Sequence, residues 1–140
     1  MRIRFSHGAA LLAALKTSGV RVIGGSVAVS GVIFNAIKAA VPATVRVSGA
    51  DRYASAVAVS ANAFSAVTSQ VFVTTGLNFP DGMVVAPLAG KTKSPLFLSN
   101  GTCVDSGVIA QMSRLGATKL VLLGGTNALG APVAAVSVCF

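Results

Sequence analysis

The chain has 140 residues, of which 54% are hydrophobic and 10% are charged, so it holds enough apolar material for one domain and is not an intrinsically disordered segment. Basic residues from Lys16 to Arg52 interrupt the apolar N-terminal half at short intervals, which excludes a membrane span. Eleven Lys and Arg stand against three Asp, and the net charge of +8 favours polyanionic partners, although such an excess also keeps an apolar chain soluble.

The first predicted element is an amphipathic helix over Gly8–Thr17. A basic N-terminus precedes it, but the apolar run is too short for a signal peptide and no small-residue cleavage site follows. The chain is therefore interpreted either as cytoplasmic or as an excised piece of a longer exported protein.

Strands and helices alternate along the rest of the chain. Short β-branched or aromatic runs bounded by Gly, Pro or Ser predict strands at Val20–Ile23, Thr44–Val47, Val71–Thr75, Pro95–Leu98 and Lys119–Leu123. The segments between them predict helices over Ser30–Ala40, Asp51–Val67, Gly82–Gly90 and Asp105–Leu115. Ala131–Phe140 is predicted to form a turn and a final extended piece. The alternation indicates an α/β fold, a Rossmann-like three-layer α/β/α arrangement with a mainly parallel sheet.

A strand followed by a glycine pair occurs twice, at Gly24–Gly25 and at Gly124–Gly125. The segment Val22–Ser30 returns as Leu122–Gly130, 100 residues later. Self-similarity at a fixed spacing is the signature of repeated units. We therefore expect residues 1–140 to form a single domain of about one repeat, which starts in the tail of one unit and ends in the tail of the next.

The glycine pairs lie where a parallel strand enters a loop, the position at which open α/β sheets bind ligands. They provide either a tight turn or contacts to an anion. Neither the dinucleotide-binding pattern nor the P-loop pattern is present.

Ser48–Ser55 is the densest polar cluster of the sequence. Asp51 is placed to cap a helix, and Arg52 and Tyr53 beside it offer an anion-binding fork and an aromatic face that suit a sugar or a phosphate. Asp81 follows the next strand in the same way, so both loops are expected at the carboxyl edge of the sheet. Their carboxylates are either helix caps or the floor of a pocket.

Residues for catalysis and metal binding are scarce. His7 is the only imidazole, and three Asp and two Cys complete the set. This set supports neither a nucleophile with its base, nor hydrolysis by paired carboxylates, nor a zinc site. The sequence predicts no catalytic residue, no metal and no cofactor.

The sequence has an even number of cysteines, Cys103 and Cys139, which can pair with each other. In an exported protein they would close a disulfide loop worth about 3–4 kcal/mol, and in a cytosolic protein both would be buried thiols. We favour the disulfide, because it would hold a C-terminal piece that is too short to hold itself.

Several motifs, taken together, resemble one known family. They are Arg46-x-Ser-Gly-Ala-Asp-Arg-Tyr-Ala-Ser55, Val73-Thr-Thr-Gly-Leu-Asn-Phe-Pro-Asp-Gly82 with Ala86-Pro-Leu-Ala89, Pro95-Leu-Phe-Leu98 and Val121-Leu-Leu-Gly-Gly125. In order and spacing they resemble the cell wall binding repeat 2 family over about Val20–Leu129. The resemblance implies a Rossmann-like module of secreted surface proteins that attaches them noncovalently to anionic bacterial cell-wall polysaccharide, commonly as three tandem copies around a pseudo-threefold axis.

The resemblance also implies which residues matter. The matching motif positions include Gly49, Phe79 and Pro80, and the polymer-binding residues expected among them are Arg46, Asp51, Arg52, Tyr53, Asp81, Gly124 and Gly125. Ser55 stands where Thr is usual, and Gly82 where Ala is usual. Only about one repeat is present instead of three, so a lone unit must trimerise or bind weakly. The cysteine pair is similar to that of exported members.

Composition and resemblance together predict a binding protein of the bacterial cell wall or surface that is not an enzyme. The expected partners are anionic cell-wall polysaccharide and further copies, as a homotrimer or as tandem repeats, with no nucleic acid and no membrane span. One alternative is a self-assembling structural surface domain without direct polymer binding, since so apolar a chain is expected to expose apolar surface. Another is a hydrolase-associated or phosphate-binding domain.

Overall fold

The computed structural model describes residues 6–77 and 81–139. Its strands pair in two separate parallel sheets, and the chain divides after Ser48 into two compact units. We call residues 1–48 the leading unit and residues 49–140 the main unit. The predicted α/β class with parallel strands is confirmed.

The leading unit contains two helices and a two-stranded sheet. Its elements are α1 (Ser6–Ala14), β1 (Val20–Ile23), α2 (Gly31–Ala40) and β2 (Thr44–Val47). The side chain of Ser30 caps α2 by accepting a hydrogen bond from the Ile33 amide at 3.4 Å. β1 and β2 run parallel, from the pair Val20 and Thr44 to the pair Ile23 and Val47.

The main unit is built around a three-stranded parallel sheet in the order β4-β3-β5. Its elements are α3 (Arg52–Ala63), β3 (Gln70–Thr75), α4 (Asp81–Lys91), β4 (Leu96–Ser99), α5 (Ser106–Leu115), β5 (Lys119–Leu123) and α6 (Ala131–Ala134). The connections from β3 to β4 and from β4 to β5 run in opposite directions along the sheet. Because such crossovers are right-handed, α4 covers one face and α5 the other.

The side chains of β3 alternate between the two faces, as they must in a strand. Those of Val71 and Val73 point to the α5 face, where both are fully buried together with Phe97 of β4. The cluster on that face consists of Val71, Val73, Phe97, Val104, Val108, Ala117, Leu129 and Val133. Thr74 points to the α4 face, where a Cβ atom on Gly82 would come within 2.9 Å of its Cγ2. Gly82 thus lets α4 approach the sheet closely.

The C-terminal segment differs from the prediction of a turn and an extended piece. It begins with the single-turn helix α6, after which Val138 forms a parallel bridge with Val104 in the loop after β4. The predicted disulfide is confirmed: Cys103 and Cys139 are bonded, with their Cα atoms 5.1 Å apart. α1 and α3 also end earlier than predicted, at Ala14 and Ala63. Within residues 6–77 and 81–139, no helix has the length and apolar character needed to cross a membrane.

Candidate functional site

An open pocket of about 510 Å³ lies on the α4 side of the main unit, at the carboxyl ends of β3 and β4. Parallel sheets present their ligand sites at this edge. The lining residues are Arg52, Thr75, Gly76, Leu77, Gly82, Met83, Ala86, Leu96 and Leu98. The wall is thus mostly apolar, and Arg52 is the charged side chain among these residues. Such a surface combines an apolar packing area with one cation.

Arg52 is held at the pocket by the main chain. Its guanidinium donates a hydrogen bond to the carbonyl oxygen of Gly76, just beyond the end of β3. The side chain is otherwise exposed, and a guanidinium carries five N–H donors in a planar fork that matches carboxylate and phosphate oxygens. The fold therefore presents an oriented cation at the mouth of the pocket.

Asp51 and Gly49 build the loop that carries Arg52. The Asp51 carboxylate accepts a hydrogen bond from the Ala54 amide at 2.8 Å, so Asp51 is the N-cap of α3. The Gly49 amide donates to the Ser55 hydroxyl at 2.9 Å, a bond that Thr could make equally well. A Cβ atom on Gly49 would lie 2.4 Å from the Ala54 backbone, which requires glycine there. The motif thus has a local structural role in addition to any contact with a ligand.

Tyr53 lies beside the pocket without lining it. Its ring approaches Gly76 so closely that a Cβ atom there would lie 2.9 Å from the ring. On its other side the ring borders a small cavity of about 30 Å³ next to the disulfide, formed with Asn100 and Asp105 among others. Tyr53 therefore connects the Arg52 loop to the disulfide loop.

Arg46, the first residue of the resembling motif, belongs to the leading unit. Its guanidinium donates to the Gly24 carbonyl oxygen at 2.6 Å and lies 4.7 Å from the centre of the Phe34 ring. The hydrogen bond holds the glycine turn after β1, and the ring contact holds Arg46 against α2. Sequence reasoning assigned Arg46 to the polymer and missed these partners, because they are 22 and 12 positions away in the chain.

The second glycine pair is not among the residues that line the pocket. Gly124 has a φ of 139°, which favours glycine, and the Gly125 carbonyl accepts hydrogen bonds from Ala128 and Leu129. Both glycines are exposed. The turn interpretation is thus confirmed for this pair, and contact with an anion stays a prediction.

Asp81 is the first residue of α4, but its side chain lies outside what the structure describes, as do Phe79 and Pro80. The structure adds lining residues that the sequence reasoning did not select, chiefly Leu96 and Leu98 of β4. Their signal was present, since they flank the inward-facing Phe97 and so had to face the opposite side of the sheet.

The charges of the main unit are divided between the two edges of its sheet. Asp51, Asp81 and Asp105 stand at the starts of α3, α4 and α5, and hence at the carboxyl edge, as does Arg52. Arg114 is engaged elsewhere, because its guanidinium donates to the Phe64 carbonyl at 2.8 Å.

The exposed lysines of the main unit lie at the opposite edge. Lys91 and Lys93 precede β4, and Lys119 begins β5. The leading unit holds six of the eleven basic residues and none of the three Asp. Within the main unit the lysines thus lie away from the pocket, a division that no local sequence pattern indicates.

The described residues contain no group of three or more His, Cys, Asp or Glu side chains arranged to hold a metal ion. Thr74, which packs against the pocket residue Gly82, carries a buried hydroxyl without a hydrogen-bond partner among those residues. An unsatisfied polar atom therefore lies behind the pocket wall.

Among known protein families, the chain matches one. The family model for cell wall binding domain 2 matches residues 46–134, which confirms the resemblance seen in the motifs. No curated protein matches the chain.

Two solved structures from Clostridium difficile share the fold. The chain is similar to Cwp6, with a TM-score of 0.79 and 23% identity over 92% of this chain and 21% of that one. It is also similar to Cwp8, with a TM-score of 0.72 and 23% identity over 85% of this chain and 20% of that one. It thus spans about a fifth of the length of either structure.

Proposed function

The chain belongs to the cell wall binding domain 2 family, and we propose that it binds an anionic cell-wall polymer noncovalently and thereby anchors a surface protein outside the cell. The observation that carries the proposal is the position of Arg52, whose guanidinium is fixed to the Gly76 carbonyl at the mouth of an open, largely apolar pocket. The role is binding rather than catalysis.

Two kinds of contact would hold the polymer. The Arg52 fork binds an acidic group of the polymer by charge-assisted hydrogen bonds. Leu96, Leu98 and Met83 pack against the apolar face of a sugar ring. Because the pocket is open, it suits a unit within a long chain rather than a small molecule that must be enclosed.

The lysines at the opposite edge of the main unit act at longer range. Their summed field raises the local concentration of a polyanion and speeds its association. Exposed charges more than about 8 Å apart are screened at physiological ionic strength. The long-range contribution is therefore expected to fall steeply with salt.

The other residues implied by the resemblance have supporting places in this proposal. Asp51 and Tyr53 position the Arg52 loop, and Asp81 begins the helix that forms one wall of the pocket. Arg46 and the Gly124–Gly125 turn would add their own contacts to the polymer. Their direct contact with polymer is a proposal.

Retention on purified cell-wall sacculi tests the pocket directly. Replacing Arg52→Gln removes the cation at the pocket, and Lys93→Gln removes the same charge at the opposite edge. We expect Arg52→Gln to weaken binding about tenfold, the cost of hydrogen bonds to a charged group, and Lys93→Gln to weaken it less than about threefold. Arg52→Lys should fall between them, because it keeps the charge but loses the fork.

Equal losses for Arg52→Gln and Lys93→Gln would overturn the assignment to the pocket and leave only a diffuse electrostatic attraction. Retention of the native chain that does not change with salt would remove the electrostatic part of the proposal. Unchanged unfolding midpoints would establish that each variant remains folded.

Self-assembly is a second candidate function, as a homotrimer or between tandem copies. Met83 and Val84 of α4 are 82% and 75% exposed, and Val32 of α2 is 81% exposed. Contiguous apolar surface is typical of contacts with a partner, and Met83 and Val84 are adjacent on α4. Light scattering with and without polymer separates the candidates, since a chain that stays monomeric in both conditions has no assembly role.

A further inference from the structure

The two copies of the strand and glycine turn have different neighbours. β1 of the leading unit pairs with β2, and its copy β5 of the main unit pairs with β3. The two turns have the same hydrogen bonds, since the Gly25 carbonyl accepts from Ala28 and Val29 just as the Gly125 carbonyl accepts from Ala128 and Leu129. The two strands are thus equivalent, and their neighbours can be compared edge by edge.

The hydrogen bonds identify which edge of each strand is paired. In the leading unit the amides of Val20 and Gly24 donate to β2, at the carbonyls of Ala43 and Val47. Amides of successive strand residues point to alternate sides, so the even-numbered residues of β1 face β2.

In the main unit the alternation runs the other way. The Phe72 amide donates to the Pro95 carbonyl beside β4, so Val71 and Val73 on either side of Phe72 face β5. Phe72 pairs in register with Val121, so Val121 and the other odd-numbered residues of β5 face β3. The amides of Leu120 and Leu122, which correspond to Val20 and Val22, point away from β3. β5 is the last strand of its sheet in the described chain. The edge of β5 that points away from β3, its second edge, therefore corresponds to the edge through which β1 pairs with β2.

The exposure of the two glycine turns agrees with this difference in strand pairing. Gly24 and Gly25 are half-buried, and Arg46 of β2 donates to the Gly24 carbonyl. Gly124 and Gly125 are exposed. Within residues 6–77 and 81–139, no strand and no arginine cover the turn after β5 as they cover its copy.

The chain's own C-terminus does not take this place. After α6 the segment turns toward Val104, whose amide donates to the Ser137 carbonyl at 2.8 Å and whose carbonyl accepts from the Cys139 amide at 2.9 Å. The disulfide between Cys103 and Cys139 fixes the segment there.

We propose that the second edge of β5 is a docking site for the leading strand of another repeat of this family, in parallel and in the register of β2 on β1. The incoming strand carries an arginine at the position of Arg46, which donates to the Gly124 carbonyl. Main-chain hydrogen bonds supply the contact, and the arginine selects the family's own motif over other strands. This site is separate from the Arg52 pocket and does not depend on what that pocket binds.

The test joins a copy of residues 41–50 to the C-terminus of the full chain through a flexible linker of about 15 Gly and Ser residues. Such a linker gives an effective concentration of about a millimolar, so that a weak strand contact is populated. We expect amide hydrogen exchange at Leu120 and Leu122 to slow at least tenfold relative to the native chain. Exchange at Val121, whose amide already faces β3, should change little.

Matched variants within the joined copy test the register. The carbonyls of Ala43 and Val47 face β1, so the Val45 amide faces the same side and the Thr44 amide faces away. Val45→Pro in the joined copy should abolish the protection, and Thr44→Pro should retain it. Arg46→Gln in the joined copy should reduce the protection about tenfold.

Three results would overturn the proposal: no protection in the joined chain, equal effects of the two proline variants, or protection in the native chain that rises with its own concentration. The last would assign the edge to a second copy of the chain.

Discussion

The leading unit and the main unit contain the same series of a strand, a glycine turn and a helix, but they differ in the segment that follows the helix. Each has a parallel strand, a turn with a glycine at positive φ and then a helix. In the leading unit that helix has 10 residues, and the chain returns as β2 beside the strand. In the main unit the helix has 4 residues, and the chain turns to the disulfide loop. The segment after the helix thus decides whether the edge of the strand that faces β2 in the leading unit is covered.

The two units also hold this following segment by different means. The leading unit uses a ladder of main-chain hydrogen bonds, reinforced by Arg46 on the Gly24 carbonyl. The main unit uses one bridge at Val104 and a covalent bond between Cys103 and Cys139. The disulfide and the bridge therefore hold this segment where the leading unit uses a strand ladder.

Removal of the disulfide should have the largest effect on this comparison. The bond closes a loop between positions 36 apart, so the chain-entropy model gives a loss of about 3–4 kcal/mol in the free energy of unfolding for Cys103→Ser with Cys139→Ser. Urea denaturation of the oxidised chain and of the double variant measures it. Exchange at the Cys139 amide, which donates to Val104, should become fast in the variant.

Single variants at Cys103 or Cys139 serve as controls, because each breaks the same loop. A loss below about 1 kcal/mol in the double variant would show that the hydrogen bonds at Val104 hold the segment without the disulfide, and the contrast between the two units would fail.

Alanine at the turn glycines should have a smaller effect and tests whether the two turns are equivalent. Gly24 has a φ of 114° and Gly124 a φ of 139°, a region that costs other residues about 1–3 kcal/mol. Gly24→Ala and Gly124→Ala should therefore lower the free energy of unfolding by similar amounts in that range, as measured by urea denaturation.

The neighbouring glycines are the matched controls. A Cβ atom on Gly25 or Gly125 would meet no atom within 4 Å, so Gly25→Ala and Gly125→Ala should change stability by less than about 0.5 kcal/mol. A cost at Gly24 with none at Gly124 would contradict the equivalence on which the β5 docking site rests.

Local patterns predicted most of the elements. β1, β2 and β5 begin and end at the predicted residues, because short apolar runs between Gly, Pro and Ser leave little choice of boundary. Asp51 at the start of α3 was recognisable as a cap. The C-terminus of α3 was predicted at Val67, beyond its observed end at Ala63. The segment after Ala63 keeps an apolar composition but does not form helical hydrogen bonds.

The pocket was only partly predictable. Arg52 was selected from its motif, but Leu96 and Leu98 were not, because they become neighbours of Arg52 only when β4 pairs with β3. Arg46 was assigned to the polymer from its motif alone, and its bond to Gly24 depends on the pairing of β1 with β2.

The amino-acid sequence by itself determined the α/β class, the order of the elements and the family, because these follow from side-chain periodicity and from short motifs within one segment. Only the tertiary structure decided how the strands divide into two sheets, where the cations of the main unit lie relative to the pocket, and which edge of β5 stays open. These features arise from hydrogen bonds and packing between residues far apart in the chain, and such partners leave no trace in the local pattern of either segment.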